Sequence, residues 1–144
     1  DPRVVVVEKT NIRYFGKCEL TQIIKCELTQ TTNSHKSSYN VDESCLPDLA
    51  VIDVSFISLE KVLPKVKELV KVDGRIIALV KPQFEAPRGS AKKGVVQDES
   101  VRLASIEKIK TFSDTLGLSL LGETPSPIKG PKGNLEHFLY LKNL

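Results

Sequence analysis

The stretch RIIALVKPQFE, residues 75–85, decides how this chain is read. Arg75 to Val80 is a short apolar run bounded by Asp73-Gly74 and Pro82, the pattern of a buried strand. It ends in a lysine. An ammonium at the rim of a strand must lie at an opening or beside a carboxylate, because burying it unpaired is costly. Proline follows at once, lacks a backbone donor and cuts the ladder. The sequence thus delivers one amine, that of Lys81, to the mouth of a sheet.

Working upstream, LAVIDV at 49–54 reads as a second strand buried on both faces. After Ser58, a helix N-cap by residue type, Leu59, Val62, Leu63, Val66, Leu69 and Val70 recur at helical spacing. Pro64 should kink or restart that helix. RVVVVE at 3–8 is a continuous β-branched run and reads as a further buried strand. Residues 14–47 are an atypical connecting segment, polar and carrying KCELTQ twice, at 17–22 and 25–30. Two copies are too few for a solenoid.

Downstream, Asp98 is a good helix start, and Leu103, Ile106, Ile109, Phe112 and Leu116 form an apolar stripe that Gly117 ends. Leu118–Leu121 and His137–Leu141 are the last strands, joined by the turn-rich TPSPIKGPKGN. Strand, connection, strand, helix, strand, helix and two strands make an α/β fold with a mostly parallel sheet. The last connection is too short for a crossover, so the final strands should form an antiparallel hairpin.

Composition narrows the class. With 144 residues, 40% apolar and 27% charged, the chain suits one globular domain. It has no apolar run of membrane-spanning length. Cys18, Cys26 and Cys45 show neither paired nor metal-type spacing, which suggests free thiols in a reducing, cytoplasmic compartment. No metal site is expected. The chain starts within a strand pattern and has no methionine, so it reads as part of a longer polypeptide. The net charge of +3 is mild, but Arg88, Lys92, Lys93, Lys129 and Lys132 gather in two Gly/Pro-rich loops. Arg88, Lys92 and Lys93 are candidates for phosphate contact, or simply a solvated loop.

In open α/β sheets ligands bind beyond the carboxyl ends of parallel strands. Asp53 and Lys81 fall at such ends. A reversed final strand would begin on the same edge, at Glu136. These three charged groups could handle a proton together, or could form a structural ion-pair cluster that plugs the end of the sheet.

DVSFISL at 53–59, LVKPQFE at 79–85, KGVVQD at 93–98 and SPIKGPKGNLEHFLYL at 126–141 resemble the TlyA-type proteins, often labelled hemolysin A, within the FtsJ-like methyltransferases. DPRVVVVEKTNIR at 1–13 is similar to that family's third strand and following turn. The resemblance implies a truncated Rossmann-like S-adenosylmethionine-dependent methyltransferase fold, with residues 1–144 its C-terminal part. It also implies methylation of a ribose 2′-hydroxyl in ribosomal RNA. Asp53, Lys81 and Glu136 match three members of a Lys-Asp-Lys-Glu catalytic tetrad. Thr10, Asn11 and Asp53 match the cofactor side. The first lysine, the glycine-rich cofactor loop and an RNA-binding domain would precede residue 1, so cofactor binding by these residues alone should be weak or absent. Two strands of the related fold would be missing. The strand edge so exposed should be covered by residues 14–47, by a second copy or by disorder. The hemolysin label implies membrane damage, yet no basic amphipathic helix is present.

Two functions stay open: the catalytic part of a ribosomal RNA methyltransferase, or a non-catalytic RNA-binding or assembly module that keeps the fold.

Overall fold

The computed structural model describes residues 4–28 and 46–144, with the backbone alone for 25–28. A 3₁₀ turn at Ile12–Tyr14 leads into α1 (Lys17–Leu28). Strand β1 (Leu49–Ile52) is followed by a 3₁₀ turn at Leu59–Lys61 and α2 (Leu63–Leu69). Then come β2 (Arg75–Val80), the one-turn helix α3 (Pro82–Glu85), α4 (Glu99–Thr115), β3 (Leu118–Pro125) and β4 (His137–Asn143).

The four strands form one sheet in the order β1-β2-β4-β3. β1 and β2 are parallel, and β4 runs antiparallel to both β2 and β3. Three strands therefore point one way and β4 the other, with β3 and β4 as the expected hairpin. The carboxyl ends of β1, β2 and β3 and the start of β4 share one edge; Val80 and Pro125 both pair with His137.

Both helical connections, β1-α2-β2 and β2-α4-β3, step across the sheet in the same direction. Right-handed crossovers taken in one direction lie on one face. Accordingly a single core joins Leu63 and Val66 of α2, Ile106 and Ile109 of α4, and Ile76, Ala78, Val80, Leu139 and Leu141 of the sheet. The opposite face is open: Leu49, Val51 and Tyr140 are exposed. This corrects the reading of 49–54 as buried on both faces, because no described element crosses to the second face.

The run at 4–8 is also corrected. It is not a strand, and Val4 to Val7 are exposed. β-branched residues favour extended backbone, but a strand needs a ladder partner, and among the described residues β1 pairs with β2 alone. Arg3, Cys45 and the end of the second KCELTQ copy lie outside the described residues. Leu103, expected in the α4 stripe, is exposed, and Ser105 and Ser113 are buried in the helix by donating to Val101 O and Ile109 O.

Local signals shape the rest. Ser58 caps the 3₁₀ turn by accepting from Glu60 N, and Pro64 restarts the chain as the first turn of α2. Gly117, at φ 72°, closes α4 in the left-handed conformation. Asp98 caps α4: its carboxylate accepts from Ser100 Oγ (2.7 Å), Ser100 N (2.8 Å) and Val101 N (3.4 Å). These bonds, the Ser100 hydroxyl first, hold its carboxyl below the ordinary 3.8. A carboxyl lowered by folding stabilises the fold above its unfolded pKa and loses that contribution as pH falls through the folded value. Asp98→Ala should therefore lower the thermal midpoint at neutral pH. The gap to the parent should narrow as the solution is acidified through and below that range, as scanning calorimetry across pH would show.

Candidate active site

The strand ends set the site. Asp53 lies one residue beyond β1 and Lys81 one residue beyond β2, so the parallel pairing of these strands carries both to the same edge. The Lys81 ammonium meets Asp53 Oδ1 at 2.5 Å and donates to Ser55 Oγ at 3.2 Å. The two partners differ in setting: the Lys81 side chain is 10% exposed and that of Asp53 67%. A nearly buried amine is thus held by a carboxylate that faces solvent.

Glu136 stands one residue before β4 and is buried at the same edge. Its Oε1 accepts from Gln83 Nε2 at 3.1 Å, and it forms no ion pair with Lys81. Ser55 and Asp53 hold Lys81, while Glu136 holds Gln83, two residues further on. Gly130 makes the position possible, since a Cβ there would fall on the Glu136 carboxylate. The side-chain amide oxygen of Gln83, Oε1, is buried with no hydrogen-bond partner.

Lys81 opens into a cavity of about 310 Å³ whose walls include Ser55, Phe56, Phe84, Lys132 and Asn134. Phe56 is 91% exposed and sits at φ 62°, in the left-handed region that a bulky side chain occupies at a cost. Its ring lies 5.1 Å from that of Phe84. The far wall is tied down by buried Asn134, which donates to Gly94 O and Pro131 O and accepts from Val96 N. Through Asn134 the loops at 86–96 and 126–134 act as one wall. Lys132 adds a donation to Lys93 O.

Thr10 and Asn11 turn inward on their own segment. Thr10 Oγ1 donates to Glu8 O, and Asn11 Oδ1 caps the 3₁₀ turn by accepting from Arg13 N and Nε. Arg88, Lys92 and Lys93 are exposed. Among the described residues no group of three or more His, Cys, Asp or Glu could hold a metal ion.

A model of the FtsJ-like methyltransferases matches residues 1–143. The chain belongs to the FtsJ-like methyltransferase family. It is 38% identical over 142 residues to YqxC of Bacillus subtilis, named as an rRNA methyltransferase, covering 98% of this chain and 43% of that protein. It is 37% identical over 143 residues to the 16S/23S rRNA (cytidine-2′-O)-methyltransferase TlyA of Mycobacterium tuberculosis, covering 99% of this chain and 45% of TlyA. The chain thus spans under half the length of these curated relatives. Among solved structures, a protein titled as a hemolysin from Lactococcus lactis superposes with a TM-score of 0.81 at 35% identity, covering 100% of this chain and 59% of that one. Among the described residues no helix is long and apolar enough to cross a membrane.

Glu85 escaped the sequence reading, although it closes the opening stretch. Its side chain is 1% exposed, and it accepts from Ser58 Oγ at 2.6 Å and Leu59 N at 2.8 Å, with the Lys108 ammonium 3.9 Å away. This buried carboxylate fastens the segment that carries Asp53 to the one that carries Lys81. A glutamate three residues past a proline, facing a Ser-Leu helix start, was the available signal. Glu85→Ala would leave the buried Leu59 N–H unpaired and the Ser58 hydroxyl with only its 3.4 Å contact to Glu60, so it should cost roughly 2 kcal/mol. Urea unfolding checks this, and Glu85→Gln, which keeps an acceptor, should lose less.

Proposed function

We propose that this chain is the catalytic part of an enzyme that methylates a ribose 2′-hydroxyl of ribosomal RNA in the cytoplasm, with S-adenosylmethionine as methyl donor. One observation carries the reading: the nearly buried Lys81 amine, held by Asp53 and Ser55, opens into a cavity walled by Phe56 and Phe84. FtsJ-like membership and the rRNA methyltransferase names of the relatives support it.

S-adenosylmethionine, when bound, supplies an electrophilic methyl group on a sulfonium. Of the residues present, Asp53 fits that positive charge, because its carboxylate is solvent-facing beside Lys81. Thr10 and Asn11 spend their oxygens on their own turn, and no glycine-rich turn follows a strand among the described residues. The fit is to the charged centre of the cofactor and not to its adenosine.

The chain's own part is alignment and proton handling. A nucleotide entering the cavity would rest its base on Phe56 and bring its 2′-hydroxyl to Lys81. Lys81, after passing its own ammonium proton to solvent, takes up the hydroxyl proton as the oxygen bonds the methyl carbon. Asp53 balances the charge so regained, and Glu136 orients Gln83, whose unpaired side-chain amide oxygen is free to accept from the nucleotide. Arg88, Lys92 and Lys93 hold phosphates at the rim. The outer edge of β1, which has no strand partner among the described residues, is the place where a second copy would attach in a homo-oligomer.

Activity is expected only in the full-length protein that contains this chain. There, replacing Lys81 by alanine should lower methyl transfer to an rRNA fragment by at least about 10²-fold, in line with loss of a proton-handling group. Lys81→Arg should fail as well, since guanidinium does not release a proton. Both are read by 2′-O-methyl mapping of the RNA. Full activity in Lys81→Arg would leave the lysine an electrostatic role only, and unchanged activity in Lys81→Ala would overturn the reading in favour of a non-catalytic RNA-binding module.

The domain reading, residues 1–144 as the C-terminal part of the methyltransferase domain, has a separate check. Calorimetric titration of these residues with S-adenosylmethionine should show no stoichiometric micromolar binding, because nothing described cradles the adenosine. Tight binding would show that another segment does so.

A further inference from the structure

Several surface cations of this chain are neutralised where they stand. Lys65 pairs with Glu68, Lys71 with Asp48, Arg102 with Glu99, Lys110 with Glu107 and Lys142 with Asp73. Glu60, next to Lys61, is taken by Lys108 at 2.6 Å. Among the described cations without a carboxylate partner, Arg13, Lys61 and Arg88 are set apart by converging on one groove. They come from three separate segments, the first 3₁₀ turn, the second 3₁₀ turn and the loop after α3. All three line one groove of about 580 Å³, which no carboxylate lines.

The groove shares Phe56, Gln83 and Phe84 with the Lys81 cavity, so the two are neighbours across the aromatic pair. An unneutralised three-cation concavity with an exposed aromatic ring at its border suits a polyanion that carries flat bases. Single-stranded RNA has that chemistry, since its phosphates meet the cations while an unstacked base meets the ring. An acidic peptide would satisfy the cations and leave Phe56 unused.

Building on the methyltransferase reading, we propose that Arg13, Lys61 and Arg88 form a phosphate track for the RNA strand flanking the nucleotide at Lys81. The track makes the groove the entry route and sets the direction in which the strand crosses the site. Arg13 does this while its backbone N–H and Nε remain bonded to Asn11.

The test is the salt dependence of binding to a single-stranded rRNA fragment, between about 50 and 200 mM salt. Lys61→Gln and Arg88→Gln should each shallow the slope of log K against log salt by roughly 0.7, and the double variant by the sum. Charge-keeping Lys61→Arg and Arg88→Lys should retain the parent slope. Lys65→Gln, which removes a charge already paired, should retain it too. An unchanged slope in the double variant, an equal loss in Lys65→Gln, or no RNA binding by the parent protein would each overturn the track. Methyl transfer by the full-length protein that contains this chain is scored separately. RNA binding with the expected slopes but no transfer would sink the methyltransferase reading and leave the track standing.

Discussion

A single ammonium constrains this fold. Lys81 directly follows β2, a strand flanked on both sides, and its side chain is almost wholly removed from water. An isolated charge in that position would carry a penalty of several kcal/mol. The neighbour able to meet it must end at the same edge, which requires β1 to run parallel to β2 and to stop one residue short of an acid. The register Leu49↔Arg75 through Ile52↔Ala78 does this. A slip of one residue would turn Asp53 to the other face and leave the amine alone. Glu85 then locks the two strand-end segments together through Ser58 and Leu59. Ion pair, register and buried carboxylate are one device.

The two edges of the sheet have been given different tasks. At the edge opposite Lys81, polar groups close on the backbone itself. Asn143 Nδ2 donates to the carbonyls of Lys67, Val70 and Lys71, which satisfies the end of α2 and pins the last strand to it. Gly74 sits where a Cβ would strike Val70 and Lys71 O, so the turn into β2 has no room for another residue. At the Lys81 edge the reverse holds. A ring is held exposed in a strained conformation, a buried amide oxygen has no partner, and cations stand unneutralised. Each edge keeps one buried amide oxygen without a partner, Asn143 Oδ1 at the first and Gln83 Oε1 at the second, but the exposed ring and the groove of unpaired cations lie only at the Lys81 edge.

How much of this could be read in the sequence follows the range of the forces involved. β2, the Asp98 and Ser58 caps, the Pro64 restart and the Gly117 stop were legible because each depends on residues within a turn of one another. Convergence of Asp53, Lys81 and Glu136 on one edge was legible from topology, since a short loop forces the last strand to reverse. What escaped was pairwise and distant. Nothing local says that Glu136 bonds Gln83 and that Ser55 bonds Lys81, or that Glu85 is buried 27 residues from Ser58. The Val4–Val7 run failed for a related reason. Its composition favours a strand, but extended backbone becomes a strand only when another one lies alongside.

Charge shows the same division. A net charge of +3 in 144 residues would not mark a nucleic-acid-binding surface. What matters is the charge left after local pairing. Lys65, Lys71, Arg102, Lys110 and Lys142 sit within salt-bridge distance of acids and produce little field beyond a Debye length. Arg13, Lys61 and Arg88 are not cancelled in this way, and the groove that they line abuts the cavity of the Lys81 amine. A weakly basic chain can therefore present a strongly basic rim at one place. That place is the edge where β1 and β2 end, so the constraint that buries Lys81 also gathers the cations that an incoming strand would meet first.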